Sequence, residues 1–135
     1  MGQQQLLLIV LGVIIVGIAI VVGINLFNAN AVTSNRDGLT SDLQNLAAMA
    51  HQYYVKPKAM GGGGNDYTGI DATWLTNTGL GSNANGTYSV VGTSDATGCE
   101  FEGLGKQTGT DGANPVKMDI FVKVPPLTDS LVTKN

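Results

Sequence analysis

Between Leu6 and Ile24 the chain runs nineteen residues, LLLIVLGVIIVGIAIVVGI, without a charge or a hydrogen-bonding side chain. At about 1.5 Å rise per residue a helix of that length matches the roughly 30 Å hydrocarbon core of a bilayer. Water is the one environment it cannot occupy, because exposing each large side chain costs about 1.5 to 3 kcal/mol. Lipid and a bundle of like helices are nearly equivalent for it, since acyl chains are as apolar as Leu, Ile and Val.

The rest of the chain is small. Of 135 residues, roughly 80 to 100 remain for one domain, too few for a large catalytic cleft. Seven Lys and Arg against ten Asp and Glu, with no basic cluster, remove the electrostatic footprint needed for nucleic acid or an anionic membrane surface. The single cysteine, Cys99, has no partner for an internal disulfide or a zinc spacing and reads as a small buried apolar residue.

No charge precedes Arg36, and the segment NLFNANAVTSN from Asn25 to Asn35 has no proline to stop a helix. Leu39, Leu43, Leu46, Ala50 and Tyr53 then recur at spacings of four and three, a helical stripe with one dry face. Pro57 and the run Gly61 to Gly64 end the pattern. The expectation is one helix from about residue 4 to about residue 55, with Gly23 and Gly38 as candidate bends.

The second half changes period. Val116, Met118, Ile120, Val122 and Val124 alternate with Lys117, Asp119, Phe121 and Lys123, the signature of a half-buried strand. Tyr88–Val91 and Cys99–Leu104 are shorter strand candidates, separated by the turn-forming runs Gly92 to Asp95 and Gly109 to Asn114. Gly103, Gly105, Asp111-Gly112 and Pro115 fit hairpin connections. The chain therefore reads as α+β: a long N-terminal helix whose amphipathic half packs on a small antiparallel sheet, its hydrophobic half projecting. The divisions are 1–28 for the apolar helix, 29–56 for its continuation, and 57–135 for a glycine-rich loop and β head.

An apolar helix that begins within five residues of Met1, carries Gly12, Gly17 and Gly23 in an Ile/Val/Leu run, turns amphipathic and ends in a glycine-rich loop before a small sheet resembles the type IV pilin and pseudopilin superfamily. The resemblance implies a subunit that waits in the inner membrane and is extracted into a cell-surface helical filament of identical copies, with a prepilin peptidase and assembly machinery as partners. It implies an assembly interface made of Met1, Gln5, Leu6, Leu7, Leu8, Ile9, Val10, Leu11, Gly12, Val13, Ile14, Ile15, Val16, Gly17, Ile18, Ala19, Ile20, Val21, Val22, Gly23 and Ile24. Family members usually carry a glutamate at the fifth mature position; with Met1 as the mature start this chain has Gln5, a neutral amide that cannot cancel a charge. The alternative start follows cleavage after Gly2, which exposes Gln3. The family's proline in the apolar stretch is absent, so a more continuous helix is expected, and the cysteine pair that closes the C-terminal loop of many members is absent as well. Ala19 and Gly23 form a small-xxx-small pair that permits close helix approach.

Competing readings stay open. The runner-up is a pseudopilin of a secretion apparatus, whose filament stays short in the periplasm, although the dense acidic calcium loop of major pseudopilins is absent. A secretory signal peptide is offered by Ala29-Asn30-Ala31, a small-x-small cleavage pattern that would release a domain from Val32, although the apolar run exceeds the usual ~7 to 15 residues and lacks a positive leader region. A single-pass anchor for a binding domain explains the run but not its amphipathic continuation. Catalysis is not expected: His51, the only histidine, has no partner identifiable in sequence, and no nucleophile motif, phosphate loop, cofactor motif or metal set stands out. Asn85-Gly86-Thr87 is an acceptor sequon for N-linked sugar in a polar loop. The aromatic residues Tyr53, Tyr54, Tyr67, Trp74 and Tyr88 read as core and interface filler. Many Thr, Ser, Asn and Gly residues suit packing against copies of the chain, with the tail Thr128 to Asn135 a candidate contributor.

Overall fold

The computed structural model describes residues 2–109, 112–123 and 130–134. The chain divides into two compact units, Met1–Ala31 and Val32–Asn135. Helix α1 (Gly2–Val55) supplies all of the described part of the first and the opening of the second. Helical backbone runs unbroken through Gly12, Gly17, Gly23 and Gly38. Each glycine costs about 1 kcal/mol against alanine, but no proline intervenes before Pro57, so no helical hydrogen bond is forfeited.

In the first unit every large apolar side chain from Leu6 to Phe27 is between 51% and 73% exposed. Apolar residues cover the whole circumference, which by length and composition makes this a helix able to cross a membrane.

The second unit is a helix on a sheet. Strands β1 (Gly86–Asp95), β2 (Gly98–Thr108), β3 (Pro115–Lys123) and β4 (Ser130–Lys134) form a four-stranded antiparallel meander in sequence order. Leu39, Leu43, Leu46 and Ala50, the expected stripe, are all buried, with Tyr53 partly so. They share one core with Cys99 and Phe101 of β2 and Val116, Met118, Ile120 and Val122 of β3, the alternate residues that one pleated face presents. Each fully buried Leu contributes about 1.5 to 3 kcal/mol, enough to hold the layers together. Asp119 departs from the alternation, buried although it sits at an outward register position.

Several connections differ from expectation. Gly92 to Asp95 is not a turn but the end of β1: Val91 pairs with Glu100 and Asp95 with Gly98, so three residues of β1 face one of β2 in a bulge at Gly92, where φ is 68°. The reversal falls instead at Ala96-Thr97. There the Asp95 carboxylate accepts from the Thr97 and Gly98 amides at 2.8 and 2.9 Å and from the Thr97 hydroxyl at 2.6 Å. Between helix and sheet lie a 3-10 turn (Lys58–Met60) and α2 (Ala72–Asn77). Six residues are too few for a legible period. α2 is held by Asp71, whose carboxylate accepts from the Trp74 amide at 2.8 Å, and by Leu75 in the core. The tail supplies β4, paired along β3 from Lys117–Lys134 to Phe121–Ser130. Met1, Asp111, Val124, Thr128 and Asn135 lie outside the described residues.

The glycine run has a specific geometry. The amides of Gly63, Asn65 and Gly64 donate to the carbonyls of Tyr53, Tyr54 and Lys56 at 2.8, 2.7 and 2.9 Å, satisfying the last turn of α1. Gly61 and Gly64 adopt φ of 77° and 58°, and an added Cβ at Gly62 or Gly63 would overlap the carbonyl oxygen of Lys56 or Asp66. After Pro57 the chain turns back so that Gly63, Gly64 and Asn65 are fitted over the end of α1 and are not loose.

Candidate functional site

Among the described residues, two places carry chemistry beyond ordinary packing: the exposed apolar surface of the first unit and a polar cluster in the second. In the first, Leu6 through Ile24 and Gln5 all lie on α1, exposed, with Gly2 as its first residue. A Cβ added at Gly12, Gly17 or Gly23 would meet nothing within 4 Å. Those glycines are therefore not required by the fold of this chain, and they leave shallow places where another helix can approach.

The polar cluster escaped the sequence reading. Asp42 lies beside the buried stripe on α1, and its Oδ2 accepts from Asn85 Nδ2 at 2.7 Å, Asn83 Nδ2 at 2.8 Å and Tyr88 Oη at 2.6 Å. Loop 81–85 is shaped to deliver the two asparagine donors, and β1 carries Tyr88. Asn83 Oδ1 accepts from the amides of Asn85 and Gly86 at 2.9 and 3.1 Å, and Asn35 Nδ2 donates to the Asn85 carbonyl at 2.7 Å. Gly38 makes room: a Cβ there would stand 2.9 Å from Cγ of Asn85. The signal available in sequence was slight, an acid next to an apolar stripe in a chain poor in charge.

Burial pushes the Asp42 carboxyl up, but the donors Asn85, Tyr88 and Asn83 outweigh it and hold it below its ordinary 3.8. Burial first, then the hydrogen bond to Asp42 and its charge, raise the Tyr88 phenol far above its ordinary 10.0. An acid held ionised, with three donors on one oxygen, is poorly suited to proton transfer at neutral pH and well suited to tying a loop to a helix.

The other candidates are placed as follows. Asn85, the sequon residue, is partly buried, and its side-chain nitrogen is the atom engaged by Asp42. His51 is partly buried and stacks on Tyr54, ring centroids 6.2 Å apart, while Tyr54 stacks on Tyr67 at 4.6 Å. Tyr53 and Phe101 flank Trp74, each 6.2 Å away, so the aromatic residues serve as packing. Cys99 is a free, buried thiol, pushed up to about 12 by burial and then by the charge of Asp95. Among the described residues no three His, Cys, Asp or Glu side chains converge as a metal site would require. A shallow groove of about 500 Å³ lies between α2 and β1, lined in part by Leu75, Thr76, Ser82, Ser89 and Val90.

The fold is thus a small α+β unit on the same chain as one helix long and apolar enough to cross a membrane. Neither a family model, nor a curated protein, nor a solved structure is found to match the chain.

Proposed function

We propose that this chain is a structural, non-catalytic subunit of a type IV pilin-like helical filament, held in a membrane before assembly and bundled through its apolar helix afterwards. The observation that carries the reading is α1 itself. One unbroken helical element contains both the uncharged run Leu6 to Ile24 and the stripe Leu39, Leu43, Leu46 and Ala50 that the sheet covers. A simple anchor has no need to continue as helix into its domain's core; a subunit that must bring its apolar segment and head into register with sister copies does. In the filament the exposed apolar surface would be shielded by the same surface on neighbours, a transfer from lipid that is nearly neutral in free energy.

One observation favours a secreted head instead. The second compact unit begins at Val32, directly after the small-x-small pattern Ala29-Asn30-Ala31. Helical backbone through those three residues weighs against it. Negative-stain microscopy of sheared surface material, with mass spectrometry of the chain's terminus, tests the two. Thin fibres containing the chain with Leu6 to Ile24 retained support the filament, and a soluble monomer beginning at Val32 overturns it. A short assembly confined to the cell envelope would reassign the subunit to a secretion pseudopilus.

A further inference from the structure

The chain contains one Asn-Gly dipeptide, Asn85-Gly86, and the fold demands its glycine: a Cβ at Gly86 would overlap the Leu104 carbonyl oxygen and stand 3.0 Å from the Leu39 side chain. Glycine leaves the following backbone nitrogen sterically free to attack the asparagine side chain. The Gly86 nitrogen forms a bond to Cγ of Asn85, the bond from Cγ to Nδ2 breaks, and ammonia departs with the amide proton. Water then opens the cyclic imide at either carbonyl, leaving aspartate or iso-aspartate at position 85.

Both reacting groups are occupied in the structure. The Gly86 amide donates to Asn83 Oδ1 at 3.1 Å, Asn85 Nδ2 donates to Asp42 at 2.7 Å, and the Asn85 carbonyl is held by Asn35 at 2.7 Å and by the Lys106 amide at 3.3 Å. The side chain is also seated against Gly38 on α1. Ring closure requires at least the Gly86 amide and the Asn85 side chain to leave their partners. The product cannot return to the same seat, because a carboxylate at position 85 would face the Asp42 carboxylate at hydrogen-bond distance with no proton to share.

We propose that Asn85 is a latent deamidation site: the Asp42 cluster shields it while the head is folded, and local opening converts it irreversibly into an acid that cannot re-form the cluster. This does not depend on the filament reading. The test is peptide mass mapping of the full chain in detergent, incubated at mildly alkaline pH, with and without urea. Conversion at Asn85 should run at least about tenfold slower in the folded chain, since reaction must wait for local opening. D42N should accelerate it several-fold in the folded chain while leaving exposed Asn77 unchanged. Equal rates in folded and unfolded chain, or a folded D42N variant at the wild-type rate, overturn the proposal. Should D42N not fold, the product mimic decides: N85D should melt below wild type and regain stability when combined with D42N, and an N85D chain as stable as wild type overturns the proposal.

Discussion

The Tyr88 hydroxyl on β1 donates to the Asp42 carboxylate on α1 across 2.6 Å, joining residues 46 positions apart. With Asn83 and Asn85 on the same oxygen, one carboxylate ties the first strand and the loop before it to the helix. Its charge does structural work inside a half-buried margin, where charge-assisted bonds are stronger than neutral ones.

Removing that carboxylate orphans three donors. D42A should lower the head's stability by about 2 to 4 kcal/mol, because donors left without a partner lose more than the bond itself contributes. Y88F should cost about 1 kcal/mol, one hydrogen bond with the ring's packing intact. Thermal unfolding followed by circular dichroism of the sheet signal distinguishes the two, and equal small losses would contradict the central role given to Asp42.

The same group sets a pH dependence. Its pKa is lowered on folding, so its contribution is complete above the unfolded value near 3.8 and disappears as pH falls through the folded value beneath it. Asp66 and Asp95 are lowered by local hydrogen bonds as well, so the acid limb is shared. D42N should flatten the limb without abolishing it. A titration of unfolding midpoints on both proteins checks this; superimposable acid limbs would show that Asp42 takes no part.

Glycine substitutions should separate fitted positions from open ones. G63A places a methyl onto the Asp66 carbonyl and near the Tyr53 ring and should cost more than about 2 kcal/mol. G81A, with nothing within 4 Å, should stay within about 0.5 kcal/mol of wild type. Urea midpoints give both values, and a tolerated G63A would mean the loop does not cap α1 as described.

The buried Cys99 thiol, with its pKa pushed up to about 12, should resist alkylation at neutral pH in the native chain and react promptly once urea exposes it. Mass-resolved labelling with iodoacetamide reads the contrast. Fast native labelling would place the residue outside the core.

On the proposed filament function, substituting I14K in the exposed apolar run should impair both membrane retention and incorporation into fibres. A lysine at the centre of a membrane span costs about 2.5 to 3.5 kcal/mol, and inside a helix bundle it would have no counter-charge. Fractionation and fibre yield measure the two losses. Unchanged fibre yield would remove the apolar helix from the assembly surface.

What was legible in sequence followed from periodicity. Leu39, Leu43, Leu46 and Ala50 announce a buried helix face, and Val116 to Val122 a buried strand face, because burial selects apolar residues at the element's own repeat. The uncharged run needed no periodicity at all. Elements held by individual hydrogen bonds were not legible: α2 depends on the Asp71 carboxylate meeting one amide, and the reversal at Ala96-Thr97 on Asp95, which moved the turn beyond the residues whose composition pointed to it. The Asp42 cluster was hidden for another reason, its partners lying 41 to 46 positions away, a separation at which only the assembled fold brings them together.

The glycine run over the end of α1 bears on how the protein can be handled. Four consecutive glycines look like the natural place to insert an epitope or a dye-binding peptide, yet here any insertion would unseat the amides that close the helix. At Gly79 an added Cβ would meet nothing within 4 Å, while the φ of 73° calls for keeping the glycine itself, so a label inserted after it should disturb the head less than one in the glycine run.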